Sequence, residues 1–476
     1  MDVSRSIESL NSSGRQLELF DPNLRPVVCG ARGVGVSDAA VLAERQVHPA
    51  SSEQRALAQG LMERVASLAN LEKAVRRVIR NKGSAGVDGM SVGDLKAWFA
   101  QHWRGLQRQL LAGVFRPQSV KGVQIPKPGG GTRQLGVPTV VDRVVQQAIL
   151  QVLEPLLDPT FSSSSFGFRP KRSAHQALRQ AQQYVGEGRV FVVDMDLEKF
   201  FDRVNHDVLM SRLARRIGDK VLLRIIRLFL QAGMMQDGVH VRRHMGTPQG
   251  GPLSPLLANV LLDDLDKELE RRGHKFCRYA DDCNIYVRSR RSGERVLRSI
   301  TGFLEQRLKL RVNDKKSAVD HVEKRQFLGY RLLRNGDLGI APKSLKRAKA
   351  RIREITRRNR GHVKVTDMIQ RLNEYLSGWV QYFRLAKCQG ALRDLGKWIR
   401  RKLRCVILKR LKRAKTISSY LVKLGVGRDR SWTTAACGRG WWRMSGLPAT
   451  HEGMSVKWFA KIGLLDPLSR YESLKH

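Results

Sequence analysis

The chain has 476 residues, 42% of them hydrophobic, enough to bury large cores in two or three domains. Lys and Arg number 87 against 43 Asp and Glu, a formal net charge of +44 that opposes compaction unless a polyanion screens it. No apolar run approaches the ~20 residues of a membrane span, and the opening MDVSRSIESLNSSG does not read as a signal peptide, so the expected partner is nucleic acid and not membrane, with affinity falling steeply with salt.

Residues 1–55 are rich in Ser, Gly and Arg with weak periodicity and read as a mobile tail. From Arg55 to Arg80, Leu57, Leu61, Val65, Leu68, Leu71, Val75 and Ile79 recur at helical spacing, which predicts one or two amphipathic helices. After a Gly-rich loop (81–90), VQIPKPGGGTRQLGVP (123–138) reads as strand, turn and strand. Lys127 and Arg133 flank that turn and could hold a triphosphate together with its backbone N–H groups; a hairpin with basic residues is the plainer alternative. A helix is expected over 142–157. In the following loop, Arg169, Lys171 and Arg172 stand beside Phe166 and Phe168, a mixture suited to phosphates and stacked bases, or equally to core aromatics with solvated cations.

RVFVVDMDLEKFFDRVNHDVL (189–209) predicts a strand at Val190–Val193, with Asp194 and Asp196 on one face and Asp196 at the strand end. Asp194 reads as structural, and a helix follows from His206-Asp207. The Gly-rich stretch HMGTPQGGPLSPLLAN leads into a helix near Ser254-Pro255, and Gln249 could meet the sugar or base of a nucleotide. FCRYADDCNIYV (276–287) predicts two paired strands with Asp281 and Asp282 at their tip. Adjacent carboxylates in an apolar hairpin repel and lose hydration unless cations neutralise them, and such hard oxygen ligands suit Mg²⁺. An isolated Asp-Asp pair is more simply a solvated turn; the other motifs reverse that preference. After a helix over 294–308, Lys316 is a candidate acid for a leaving pyrophosphate, or a solvated lysine.

From Ala341 the composition shifts to basic helices, at 343–360, 366–383 and about 391–413. Their apolar stripes read as core. Their basic faces, including Lys346, Arg347, Lys349, Arg351 and Arg353, are too dense for ordinary solvation and suit RNA. The last stretch mixes Trp441, Trp442, Trp458 and Phe459 with cations, as in a small cap or a nucleic-acid contact. Six scattered cysteines without a CxxC argue for reduced thiols.

Asp196, Asp281 and Asp282 at two strand ends are the carboxylate set that two-metal phosphoryl transfer uses, with ions ~3.5–4 Å apart. Nucleases and cyclases use similar acids. The triphosphate hairpin and the Gly-rich nucleotide loop turn the reading toward a template-directed polymerase.

The ordered blocks IPKPGGGTRQLGVP, FGFRPKRSAHQAL, DLEKFFD, GTPQGGPLSPLLAN, RYADD and FLGY resemble a reverse transcriptase, and LNEYLSGWVQYF resembles the maturase-specific domain X of group II intron-encoded proteins. The resemblance implies an α+β right-hand polymerase, with fingers and palm over 56–335, an α-helical thumb and domain X over 336–424, and a DNA-binding region over 425–476. It implies RNA-directed DNA synthesis from dNTPs on an RNA template and DNA primer, and binding of group II intron RNA for splicing and target-primed mobility. By position, Asp196, Asp281 and Asp282 become ligands of two Mg²⁺ ions, Lys127 and Arg133 triphosphate contacts, Phe201 the aromatic gate against a ribose 2′-hydroxyl, and Gln249 the nucleotide-pocket glutamine. No His/Cys endonuclease pattern follows residue 400, which resembles the bacterial, endonuclease-lacking branch and leaves the primer source open. A cytoplasmic location with nucleoid association is expected, and a homodimer is left open. Two alternatives stand beside this: a domesticated relative acting in repair or defence, for which Ala280 is not the altered residue some relatives carry, and a non-catalytic RNA chaperone, which would not need all three carboxylates.

Overall fold

The computed structural model describes residues 60–126, 131–236, 239–357 and 363–475. They divide into two compact units, 60–325 and 326–475.

The first unit begins with helices α1 (Leu61–Ala66), α2 (Leu68–Arg80) and α3 (Leu95–Leu111). Of the helical stripe anticipated up to Arg80, Leu61, Val65, Leu71 and Val75 are buried, Ile79 is half-buried and Leu68 is exposed, while Leu57 lies outside the described residues; Ala74 and Val78 complete the buried face of α2. Strands β1 (Val120–Pro126) and β2 (Thr132–Val137) form the antiparallel hairpin expected around the glycine turn, with Ile125 opposite Arg133. The helix expected over 142–157, α4 (Val140–Leu157), starts two residues early because Thr139 caps it, its hydroxyl accepting from Asp142 N at 3.1 Å. Asp142 in turn accepts from Gln118 N at 3.2 Å and is buried, which pushes its carboxyl up to about 7. Helix α5 (Ala174–Gly186) is closed by a Ser173/Gln176 capping box.

Strand β3 (Phe191–Met195) is followed by α6 (His206–Ala214), α7 (Lys220–Gln231), the short strands β4 (Met234–Gln236) and β5 (Val239–Val241), and α8 (Ser254–Arg271). Strands β6 (Lys275–Tyr279) and β7 (Asp282–Val287) come next, then α9 (Arg290–Phe303) and β8 (Ala318–His321). Two four-stranded sheets result. One has the order β2-β1-β4-β5; the other, fully antiparallel, has β6-β7-β3-β8. In the second sheet β3 is central and apolar on its inner positions, with Val192, Val193 and Met195 buried. Helix α8 closes over the core with Leu257, Leu261, Leu265 and Leu269 buried.

The second unit opens on a small hairpin, β9 (Tyr330–Leu332) and β10 (Leu338–Ile340). The three anticipated basic helices follow as α10 (Pro342–Ile355), α11 (Val365–Tyr382) and α12 (Gln389–Leu411). Their apolar stripes are buried, at Ile352 on α10, Leu372, Leu376 and Trp379 on α11, and Leu395, Ile399 and Leu403 on α12. Helices α13 (Ala414–Lys423) and α14 (Arg428–Ala435) and four shorter helices complete the unit to Glu472. No disulfide joins the five described cysteines. Among the described residues no helix is long and apolar enough to cross a membrane.

Candidate active site

Register assembles the site. Met195 of β3 pairs with Cys283 of β7, so one step further Asp196 comes level with Asp282, the first residue of β7. Tyr279 pairs with Asp282 across the β6–β7 hairpin, which leaves Ala280 and Asp281 as its turn. Ala280 takes a left-handed φ of 58°, a conformation that costs a residue with a Cβ and persists only where the surroundings hold it.

The holding group is Arg278, whose side chain is fully buried. Its guanidinium donates to both oxygens of Asp266 on α8 at 2.7 and 2.6 Å, to Asn259 Oδ1 at 3.0 Å, to Ser165 Oγ at 2.7 Å and to the Ala280 carbonyl at 2.8 Å. The acid-bearing turn is thereby tied to α8 and to the loop before α5. That loop also packs directly on the turn: a Cβ at Gly167 would lie 2.2 Å from Ala280 N, and Asn259 Nδ2 donates to the Gly167 carbonyl at 2.9 Å. Sequence reasoning missed this brace. Asp266 lies in the acidic run DDLDKEL, which looks like a solvated helix face, and Arg278 carries no local sign of burial.

Asp281 and Asp282 are partly exposed but closely surrounded by protein. Burial first, and then the charge of Asp196, hold the Asp281 carboxyl above the usual carboxylate range, against the opposing charges of Arg133 and Lys316. Asp282 is pushed up to about 7, by burial and then by Asp281, Asp194 and Asp196. Neither has an ion-pair partner among the described residues. Asp196 differs: Lys316 Nζ lies 3.0 Å from its Oδ2 and 3.3 Å from its Oδ1. Its backbone is fixed to the segment before β8, N donating to Ser317 Oγ at 3.0 Å and O accepting from Asn313 N at 2.8 Å. Asp194 pairs with Arg325 at 2.6 Å, in keeping with a structural part.

Phe201 and Gln249 belong to one clasp. Val204 and Phe201 carbonyls accept from Gly246 N and Thr247 N, each at 2.7 Å, and the Gln249 carbonyl accepts from Gly136 N of β2 at 2.9 Å. The glycines of this loop meet protein and not open space. A Cβ at Gly246 would come within 2.8 Å of the Asp202 carbonyl, one at Gly250 within 2.8 Å of the Gly136 carbonyl, and one at Gly251 within 2.3 Å of Gln146 Oε1. The loop therefore joins β2, which carries Arg133, to the Phe201 turn beside Asp196. Arg133 is exposed, and its charge acts on Asp281. Lys127 lies outside the described residues.

The basic residues expected to meet RNA divide. Arg169 is corrected to an internal brace: its side chain is 4% exposed, pairs with Asp158 at 2.6 Å and donates to the carbonyls of Ser162, Ser165 and Asp158. Short-range sequence gave no sign of this, because Asp158 sits on the far side of the serine loop. Lys171 is exposed, and Arg172 lies over Phe166 and bonds the Ser163 carbonyl. On α10, Lys346 and Arg347 are exposed, Arg351 pairs with Glu354, and Lys349 and Arg353 lie over the ring of Trp398.

Three carboxylates at two strand ends, a cation of β2 acting on Asp281 and a backbone clasp beside them form a polar centre able to orient a phosphate-bearing substrate. A family model described as reverse transcriptase (RNA-dependent DNA polymerase) matches residues 125–332, and the group II intron maturase-specific domain matches 345–423. Protein YkfC of Escherichia coli (strain K12) is 34% identical over 305 residues, 56% of this chain and 80% of YkfC. Group II intron-encoded protein LtrA of Lactococcus lactis subsp. cremoris is 28% identical over 58% of this chain, which spans just over half, 57%, of LtrA. A solved chain of a Cas6-RT-Cas1–Cas2 complex is 26% identical over 52% of this chain and 43% of that one, with a TM-score of 0.35. The chain belongs to the reverse transcriptases that carry a group II intron maturase-specific domain.

Proposed function

We propose that this chain is an RNA-directed DNA polymerase that extends a primer 3′-hydroxyl from dNTPs at Asp196, Asp281 and Asp282, and a maturase that binds its group II intron RNA to assist splicing and target-primed mobility. The observation that carries the polymerase reading is the β3–β7 register, which brings Asp196 level with the Asp281–Asp282 turn. In domain terms, fingers and palm take 56–335, thumb and domain X 336–424, and a DNA-binding region 425–476.

The donor set fits Mg²⁺: it is oxygen alone, and two of the acids hold raised pKa values that a divalent charge relieves. Among the described residues no group of three or more His, Cys, Asp or Glu is closed around a metal position. Asp196 is engaged by Lys316, so Lys316 has to release it before the three acids act together. Two Mg²⁺ bound there would polarise the primer hydroxyl and neutralise the departing pyrophosphate. The chain's own groups do the rest. Arg133 binds the triphosphate with Lys127, Phe201 limits space at the sugar 2′ position, and Gln249 meets the nucleotide from the clasped loop. Lys316, once released, supplies the ammonium that protonates the pyrophosphate. Lys171, Arg172, Lys346, Arg347, Lys349, Arg351 and Arg353 contribute phosphate contacts to RNA.

The test is extension of a DNA primer on an RNA template with and without Mg²⁺. Wild type is expected to make long cDNA only with Mg²⁺, and Asp281→Ala/Asp282→Ala none while still binding intron RNA. Extension by that variant, or by neither protein, overturns the polymerase reading.

A further inference from the structure

Surface tryptophans of the second unit fall into two states. Trp398 is covered by Lys349, Arg353 and Lys402, and Trp442 by Arg401 at 4.2 Å and Lys402 at 5.6 Å. Trp432, on α14, is 54% exposed, the most exposed tryptophan among the described residues, and no described cation or ring lies over it. An uncovered indole leaves a large apolar face in water, the side chain that stacks best on a planar base.

Trp432 lines a groove of about 690 Å³ between α13 and α14, together with Lys423, Arg428, Asp429 and Ser419. The volume exceeds what one nucleotide fills. Lys423 and Arg428 are exposed and enter no ion pair among the described residues, whereas the adjacent Arg430 is held by Glu452 at 2.6 Å. The helices that border it are anchored on their other sides: Ile417, Leu421 and Val426 are buried, Ser431 Oγ donates to the Val426 carbonyl, and Gly453 packs so closely that a Cβ would lie 3.1 Å from Val426. The groove is therefore a preformed concavity with one aromatic platform, two available cations and one acceptor carboxylate.

We propose that this groove takes one unstacked nucleotide of a single-stranded nucleic acid, its base on Trp432 and its flanking phosphates on Lys423 and Arg428. Duplex is excluded as the occupant because its bases offer no free face to the indole. Asp429 is placed among the lining residues to accept from a base amine or, in RNA, from a 2′-hydroxyl. The site begins within the matched maturase-specific domain, which ends at residue 423, and extends past it. It rests on the reading of the second unit as nucleic-acid-binding.

The test uses the full chain with a uridine decamer and a thymidine decamer, each bearing one 5-iodopyrimidine for ultraviolet crosslinking. The crosslink is expected on the peptide that contains Trp432. Trp432→Ala should weaken binding about tenfold and Trp432→Phe restore most of it, a rescue that a purely structural role would not give. Lys423→Gln with Arg428→Gln should flatten the dependence of log K on log salt by ~1.4. Equal losses on both decamers support stacking independent of the sugar, and a larger loss on uridine supports a 2′-hydroxyl contact. Unchanged affinity in Trp432→Ala, with wild type binding, overturns the groove alone. Failure of wild type to bind either decamer overturns the nucleic-acid reading of the second unit and the groove with it.

Discussion

Two sets of acids in the first unit lie at either end of one arginine's reach and are treated oppositely. Asp266 has no exposure and is gripped at both oxygens by Arg278, itself fully buried. Asp281 and Asp282, in the turn that Arg278 holds through the Ala280 carbonyl, keep some exposure and have no cation bonded to them among the described residues. A third acid, Asp142, is buried with no ion-pair partner among the described residues and holds its proton up to about 7. A carboxylate that loses water must gain a cation, a proton or a metal. The first two choices are structural. Asp282 shares the raised value of about 7 with Asp142 but keeps some exposure beside Asp281 and Asp196, where a substrate-borne ion can reach it, and that exposure separates the catalytic acids from the braces.

The comparison breaks most visibly at Arg278. Arg278→Met strands Asp266 in the core and should destabilise the first unit by ~3–5 kcal/mol, read by urea unfolding. A loss under 1 kcal/mol would mean the brace is not holding a charge. Next comes Asp142. Its folded pKa lies above the unfolded value, so its contribution to stability is complete below about pH 4 and is lost as pH rises through about 7. Between pH 5 and 8 wild type should lose roughly 2–3 kcal/mol relative to Asp142→Asn. Parallel pH profiles for the two proteins would contradict that. Gly167→Ala should cost ~1–3 kcal/mol, because the new methyl meets backbone at Ala280 and cannot be avoided by a rotamer change. It should also slow primer extension by displacing the turn; full activity would show that the turn tolerates the shift.

What was legible in the sequence follows the same division. The hairpin around Asp281–Asp282, the strand ending at Asp196 and the three basic helices announce themselves through period-two and helical spacing over consecutive residues. The partners of Asp266 and Arg169 do not, since each is set by contacts across the fold: Arg278 reaches α8, and Arg169 reaches Asp158 from beyond a serine loop. Basic composition near aromatics suggested a phosphate contact for Arg169, and burial made it a brace. The glycines of the GTPQGG stretch likewise proved to serve packing against Asp202, Gly136 and Gln146.

The most direct measurement is made on Asp282→Asn, with primer extension and thermal unfolding read on the same preparation. An acid awaiting a metal and not bracing the fold predicts that extension is lost while the metal-free melting temperature stays level or rises, because a repelling charge has gone. Retained extension, or a fall in melting temperature comparable to that of Arg278→Met, would contradict the assignment of Asp282 to catalysis.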